Sequence, residues 1–171
     1  MRIDLITEMK RILILRHANS DWSDDNADDK DRVLDNRGVG QAKQIAKLMN
    51  QRKLKFDTLI SSPATRALQT ATIVKKETAY TNEIMVEECF YFSDLRRIIA
   101  VLRRLDSEVE NVLIVGHNPL WSNLVLYLTD TRISLDTGGL AVVSADFNSW
   151  EHFDATKFTL DCYINPKEFI K

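Results

Sequence analysis

The chain has 171 residues, 44% of them hydrophobic, with 23 basic against 25 acidic side chains and a formal net charge of -2. That is enough apolar material for one compact domain over residues 1–171 with its own core, and the near-balance of charge provides no general attraction for nucleic acid or an anionic membrane. No apolar run approaches a membrane span, and Arg2, Asp4, Glu8 and Lys10 break up the amino terminus, so the sequence predicts a cytoplasmic chain without a leader.

In chain order, Arg11 to Leu15 reads as a buried parallel strand and is followed by Arg16-His17-Ala18. The stretch from Asp21 to Asp31 has no periodicity and is expected to be a loop. From about Arg37, Val39, Ala42, Ile45, Ala46 and Met49 mark one helix face, and Phe56 to Ile60 is a second strand. Ser62-Pro63 predicts a helix start by cap and first-turn proline, with Ala64, Ala67, Leu68, Ala71 and Val74 inward and Arg66 in the first turn. A third strand is expected over Ile84 to Tyr91. A Ser93-Asp94 cap then opens a helix with Leu95, Ile98, Ile99, Leu102 and Leu105 as its stripe.

Asn111 to Val115 is the next strand, ending at His117, and Asn118-Pro119 repeats the cap-and-proline start for a helix lined by Leu120, Leu124, Val125 and Leu128. After a Thr137-Gly138-Gly139 turn, strands over Leu140 to Phe147 and Phe158 to Ile164 are joined by a polar connection through Asn148, Ser149 and Trp150. The expected fold is α/β in three layers, a largely parallel sheet flanked by helices with a C-terminal antiparallel addition.

Strand carboxyl ends form the ligand crevice of such a sheet, so Arg16, His17, Arg66 and His117 are expected to converge on one site. Arginine holds phosphoryl oxygens in a bidentate fork, and amides at the Pro63 and Pro119 helix starts would add dipolar attraction. Nearby arginines favour a neutral imidazole, which makes His17 the candidate nucleophile for in-line attack on phosphorus and His117 a binder of the transferred oxygens. A lone histidine after a strand is most often an ordinary polar residue; three such positions on one sheet edge favour the site. Cys89 and Cys162 match neither a metal spacing nor a disulfide framework and are expected to be reduced core thiols. Asp24, Asp25, Asp28, Asp29 and Asp31 lack the glycine and terminal glutamate of a calcium loop, so no metal is expected there; a solvated loop at the site's edge would instead repel highly anionic metabolites. Trp22 reads equally as a substrate wall or a loop anchor.

These motifs resemble those of the histidine phosphatase superfamily. Arg16-His17-Ala18-Asn19-Ser20-Asp21-Trp22-Ser23 is similar to its opening Arg-His-Gly-Glu-Ser-x-Trp-Asn, with alanine in place of the glycine. Leu34-Asp35-Asn36-Arg37-Gly38 with Gln41-Ala42, and Ser61-Ser62-Pro63-Ala64-Thr65-Arg66-Ala67-Leu68-Gln69-Thr70-Ala71, resemble two further family segments. Val115-Gly116-His117-Asn118-Pro119, Asp31-Arg32-Val33-Leu34 and Thr137-Gly138-Gly139-Leu140-Ala141 with Trp150 resemble the SixA-type phosphohistidine phosphatase branch.

The resemblance implies a phosphoglycerate mutase-like fold and a phosphatase that forms a covalent intermediate on His17 and needs neither metal nor cofactor. Arg16 and Arg66 would clamp the phosphoryl group, and His117 would complete the pocket. Ser23 stands where many relatives have a phosphate-contacting asparagine, and Glu88, with Glu87 beside it, lies in the region of the general acid of relatives that cleave alkyl phosphates. A solvated strand-end charge is the competing reading for Glu88. Phosphohistidine on a protein, or a small phosphoester, is the expected substrate. A non-catalytic phospho-ligand binding module is the alternative, and a phosphoglycerate mutase is less favoured in so short a chain.

Overall fold

The computed structural model describes residues 9–23, 28–155 and 157–168; the stretch before Met9, and Asp24 and Asp25 of the expected loop, lie outside the described residues. Six strands, β1 (Met9–Arg16), β2 (Thr58–Ser61), β3 (Ile84–Val86), β4 (Asn111–Gly116), β5 (Leu140–Asp146) and β6 (Thr159–Ile164), form one sheet in the order β3-β2-β4-β1-β5-β6. The first four are parallel, and β5 and β6 add an antiparallel edge. Helices α1 (Asn36–Gln51), α2 (Thr65–Glu77), α3 (Leu95–Leu102) and α4 (Leu120–Thr129) complete the three layers that the sequence predicts.

The central strands carry apolar residues on both faces because both are covered. Along β1, Leu13 and Leu15 pack with Ile45 and Met49 of α1 and Ala67 and Ala71 of α2, while Ile12 and Ile14 pack with Ile98 of α3 and Leu124 of α4. All four β1 residues are fully buried, and each such aliphatic side chain contributes about 1.5–3 kcal/mol by leaving water. Because β4 is the last parallel strand made yet inserts between β2 and β1, the strand order reverses beside β1. That reversal opens a crevice at the carboxyl ends of β1 and β4, where the register sets Arg16 opposite Gly116 and brings the two histidine motifs side by side.

Several local expectations are corrected. Ser62 does not cap α2, which starts at Thr65 behind Ala64; the Ser62 hydroxyl accepts the Ala64 amide at 3.3 Å and otherwise meets His117. In α4 the first helical residue is Leu120, and Asn118, joined to Pro119 by a cis peptide, accepts the Ser122 amide through Oδ1 at 3.2 Å. The third strand ends at Val86, because Glu88–Phe90 winds into a 3-10 turn that buries Phe90 edge-on to Trp121. Trp150 is not part of a polar link: it opens a 3-10 turn over Trp150–Ala155, fully buried against Phe147 and Phe153. Cys89 and Cys162 are free and only half-buried at the margins of the core.

Candidate active site

The loop after β1 is held by polar side chains drawn from the segments that follow it. Ala18 N–H donates to Thr70 Oγ1 at 3.1 Å, Asn19 N–H to Gln41 Oε1 at 2.8 Å, and Asn19 Nδ2 to Asp35 Oδ2 at 2.6 Å. Asp35 also caps α1 by accepting the Gly38 amide at 2.6 Å, and Leu34 N–H donates to Gln69 Oε1 at 2.7 Å. Gly38 is required here by contact, since a Cβ at that position would lie 1.9 Å from the Asn19 carbonyl oxygen. The backbone of His17 is fixed in turn. Its N–H donates to Gly116 O at 2.9 Å, and its carbonyl accepts the amide of Gly138, a residue at φ +72 that seats the Thr137–Gly139 turn against β1.

This framework places the two imidazoles with ring centroids 4.9 Å apart, both nearly buried. His17 Nδ1 lies 2.8 Å from the Ala18 carbonyl oxygen, which can only accept. The proton of the neutral ring therefore sits on Nδ1, and the lone pair is on Nε2. Arg66 Nε donates to that Nε2 at 3.3 Å. Burial, reinforced by Arg66, Arg16 and Arg32 against the opposing hydrogen bond to Ala18, pushes His17 down to about 4. Burial and then His17 push His117 to about 3. Both rings are thus neutral through the physiological range. The imidazole resonances of His17 are expected to stay fixed in an NMR titration from pH about 8 to about 5, whereas an unperturbed ring would titrate near 6.5.

The arginines line the same pocket. Arg16 donates from one guanidinium nitrogen to Leu135 O at 2.8 Å, while its buried Nε has no partner among the described residues. His117 Nε2 lies 2.7 Å from Ser62 Oγ, and its Nδ1 is likewise buried and unpartnered. Orphaned donors and acceptors of this kind mark a place where a polar ligand would complete the hydrogen bonding.

Four residues of the pocket were not singled out from the sequence. Ser62 carries a cap signal in the sequence, yet its hydroxyl lies on His117. Tyr91 packs its ring 5.5 Å from that of His117, and its hydroxyl donates to Asp29 Oδ2 at 2.7 Å. Asp29 also accepts from Arg66 at 2.9 Å through Oδ2 and, through its carbonyl, from the other terminal nitrogen of Arg66. Arg32, nearly buried, donates to Asp29 Oδ1 at 2.9 Å, to Asp21 O at 3.1 Å and to Ser20 Oγ, and its guanidinium stacks 3.2 Å from the centre of the Trp22 ring. Trp22 thereby anchors the loop while remaining exposed. The largely apolar cleft beside His117, bounded by Tyr91, Phe92, Leu95, Pro119 and Leu120 with Asp94 and Arg96 at its edge, has a volume of about 500 Å³.

Two sequence candidates stand apart. Ser23 is exposed, with its amide on Asp21 Oδ1 at 2.8 Å, and none of its hydrogen bonds reaches the histidines. Glu88 is 77% exposed and pairs with Lys30 at 3.2 Å, and Glu87 lies 3.8 Å from Arg104. Strand alternation does not govern either glutamate, because the chain has already left the sheet.

Residues 12–90 match the family described as histidine phosphatase superfamily (branch 1). An uncharacterised chloroplastic protein of Arabidopsis thaliana is 27% identical over 83% of this chain and 69% of its own. The structure of the protein histidine phosphatase SixA complexed with tungstate superposes with a TM-score of 0.82 at 24% identity, covering 94% of this chain and 99% of that one. A structure assigned as a SixA phosphohistidine phosphatase from Agrobacterium tumefaciens gives 0.77 at 25% identity over 92% and 98%. The fold is that of phosphatase-type hydrolases, and residues 12–90, a little under half of the chain, are similar to the histidine phosphatase superfamily. More narrowly, the fold is of the SixA type.

Proposed function

We propose that this chain is a metal-independent phosphatase that removes the phosphoryl group from phosphohistidine on a protein, through a covalent intermediate on His17. The observation that carries this reading is the fixed tautomer of His17: Nδ1–H is tied to the Ala18 carbonyl, and the Nε2 lone pair points at the Arg66 guanidinium 3.3 Å away. A phosphoryl group drawn in by Arg66 and Arg16 meets that lone pair. Attack forms a bond from Nε2 to phosphorus as the bond to the substrate nitrogen breaks, and the electron pair leaves with the substrate imidazole. That imidazole departs neutral when its other nitrogen already carries a proton. Water then attacks phosphorus, the pair returns to Nε2, and the released proton leaves with inorganic phosphate. His117 and the arginines stabilise the charge on the transferred oxygens.

The leaving group follows from proton supply. Tyr91, Arg66 and Arg32 outweigh partial burial and hold Asp29 below the usual carboxylate range, so it is ionised and cannot donate. Glu88 faces solvent on Lys30. An alkoxide would need a donor, and among the described residues no carboxylic acid is poised to serve; imidazole needs none. The tungstate in the SixA structure is consistent with a pocket of this fold that accepts tetrahedral oxyanions. Free thiols at Cys89 and Cys162 suit the reducing cytoplasm.

A substrate panel tests the reading. A phosphohistidine peptide is expected to turn over at least about 100-fold faster than an alkyl phosphate, the range that a missing general acid commands. Excess chelator is expected to leave that rate unchanged. Equal rates on both substrates, or loss on chelation restored by a divalent cation, would overturn it.

A further inference from the structure

We propose that Asp29 is a specificity-determining residue, a fixed negative charge beside the phosphate clamp that admits neutral or cationic leaving groups and opposes those bearing a second anion. The proposal rests on the reading of the pocket as a phosphatase site and deepens it. Its basis is the way Asp29 is held. Oδ2 accepts from Arg66 at 2.9 Å and from the Tyr91 hydroxyl at 2.7 Å, and Oδ1 accepts from Arg32 at 2.9 Å. Arg66 is the same side chain that donates to His17 Nε2 at 3.3 Å, and the Tyr91 ring lies 5.5 Å from that of His117. The carboxylate is therefore one side chain removed from the reacting nitrogen. It is also 47% exposed, and so open to a leaving group that reaches the loop side of the pocket.

Charge balance gives the selectivity its direction. Three guanidiniums, Arg16, Arg32 and Arg66, bear on His17, and Asp29 neutralises one of them. The two remaining positive charges match one phosphoryl dianion. Lys30, the next cation along the loop, is already paired with Glu88 at 3.2 Å. A carboxylate or second phosphate on the leaving group that reaches toward the loop would face Asp29, whereas one that reaches into the cleft beside His117 would meet Arg96 and Asp94. An imidazole with a protonated distal nitrogen would face an anion that favours its protonated form. Among the described residues Oδ1 accepts from Arg32 alone, and it retains a lone pair for such a contact.

The test uses two substrates that differ by one charge, phenyl phosphate and 4-carboxyphenyl phosphate, because their reacting bonds are alike. With like charges several ångströms apart at a half-exposed site, wild type is expected to prefer phenyl phosphate by about tenfold in kcat/KM. Asp29→Asn keeps an oxygen acceptor and the side-chain shape, and is expected to bring the ratio to within about threefold of one, whatever happens to the absolute rates. The ratio in wild type is also expected to fall as salt rises, which tests the charge without a substitution. A ratio unchanged in Asp29→Asn and insensitive to salt would overturn the proposal. Failure of the phosphohistidine reading shows separately, as a phosphohistidine peptide turned over no faster than phenyl phosphate.

Discussion

Arg66→Ala is expected to lower turnover by about 100- to 1000-fold, the usual cost of removing one fixed donor from a developing oxyanion. The side chain has two duties that alanine cannot perform. Its Nε directs a proton at His17 Nε2 at 3.3 Å, and its terminal nitrogens hold the Asp29 loop segment at 2.9 Å. Removing it strips the pocket of a bidentate cation and leaves the Asp29 carboxylate facing the phosphoryl group with less compensation. Arg66→Lys is expected to recover only part of the rate, since an ammonium supplies charge without the planar fork. Steady-state kinetics on a phosphohistidine peptide check this, and near-normal turnover in Arg66→Ala would remove Arg66 from the site.

His17→Ala is expected to abolish activity, a loss on the order of 10⁴-fold or more, because His17 Nε2 is the imidazole lone pair that an arginine of the clamp addresses directly, at 3.3 Å. The same substitution has a consequence for stability. His17 is lowered to about 4 in the fold, against about 6.5 in an unfolded chain, so between those values the unfolded state binds more protons. Stability is therefore full above about pH 6.5 and declines as pH falls towards 4. Its slope with pH over that window is expected to be shallower in His17→Ala, as read from Tm in buffers across the window. A slope equal to that of wild type would show that the buried ring does not carry the penalty.

The parts of this architecture legible in the sequence are those governed by local periodicity. Ile12 to Leu15 and Val112 to Val115 are apolar on both faces, as only covered parallel strands are, and the motif histidines follow them directly. Once β4 lies beside β1, the meeting of His17 and His117 is a matter of register. The residues that escaped notice act through contacts that no local pattern encodes. Asp29 is one of several aspartates in an aperiodic run, and only the folded loop shows it to be the one that reaches Arg66. Ser62 carries a sound cap signal, but its hydroxyl is drawn to His117 across the strand ends. The sequence places Tyr91 at the end of a strand that in the structure stops five residues earlier, because burying Phe90 against Trp121 turns the chain into a 3-10 geometry and swings Tyr91 over the pocket. Gln41, Gln69 and Thr70 were recognised only as parts of family-like segments; their work is to satisfy the backbone amides of the histidine loop.

The central claim is that His17 Nε2 becomes phosphorylated during turnover. A phosphohistidine peptide carrying radioactive phosphate, mixed with the protein and quenched in alkali within one turnover, tests it most directly. The expected result is label on the peptide containing His17, stable in alkali, lost in acid, and absent from His17→Ala. Turnover without such label, or label found on Ser62 or another hydroxyl, would contradict the mechanism.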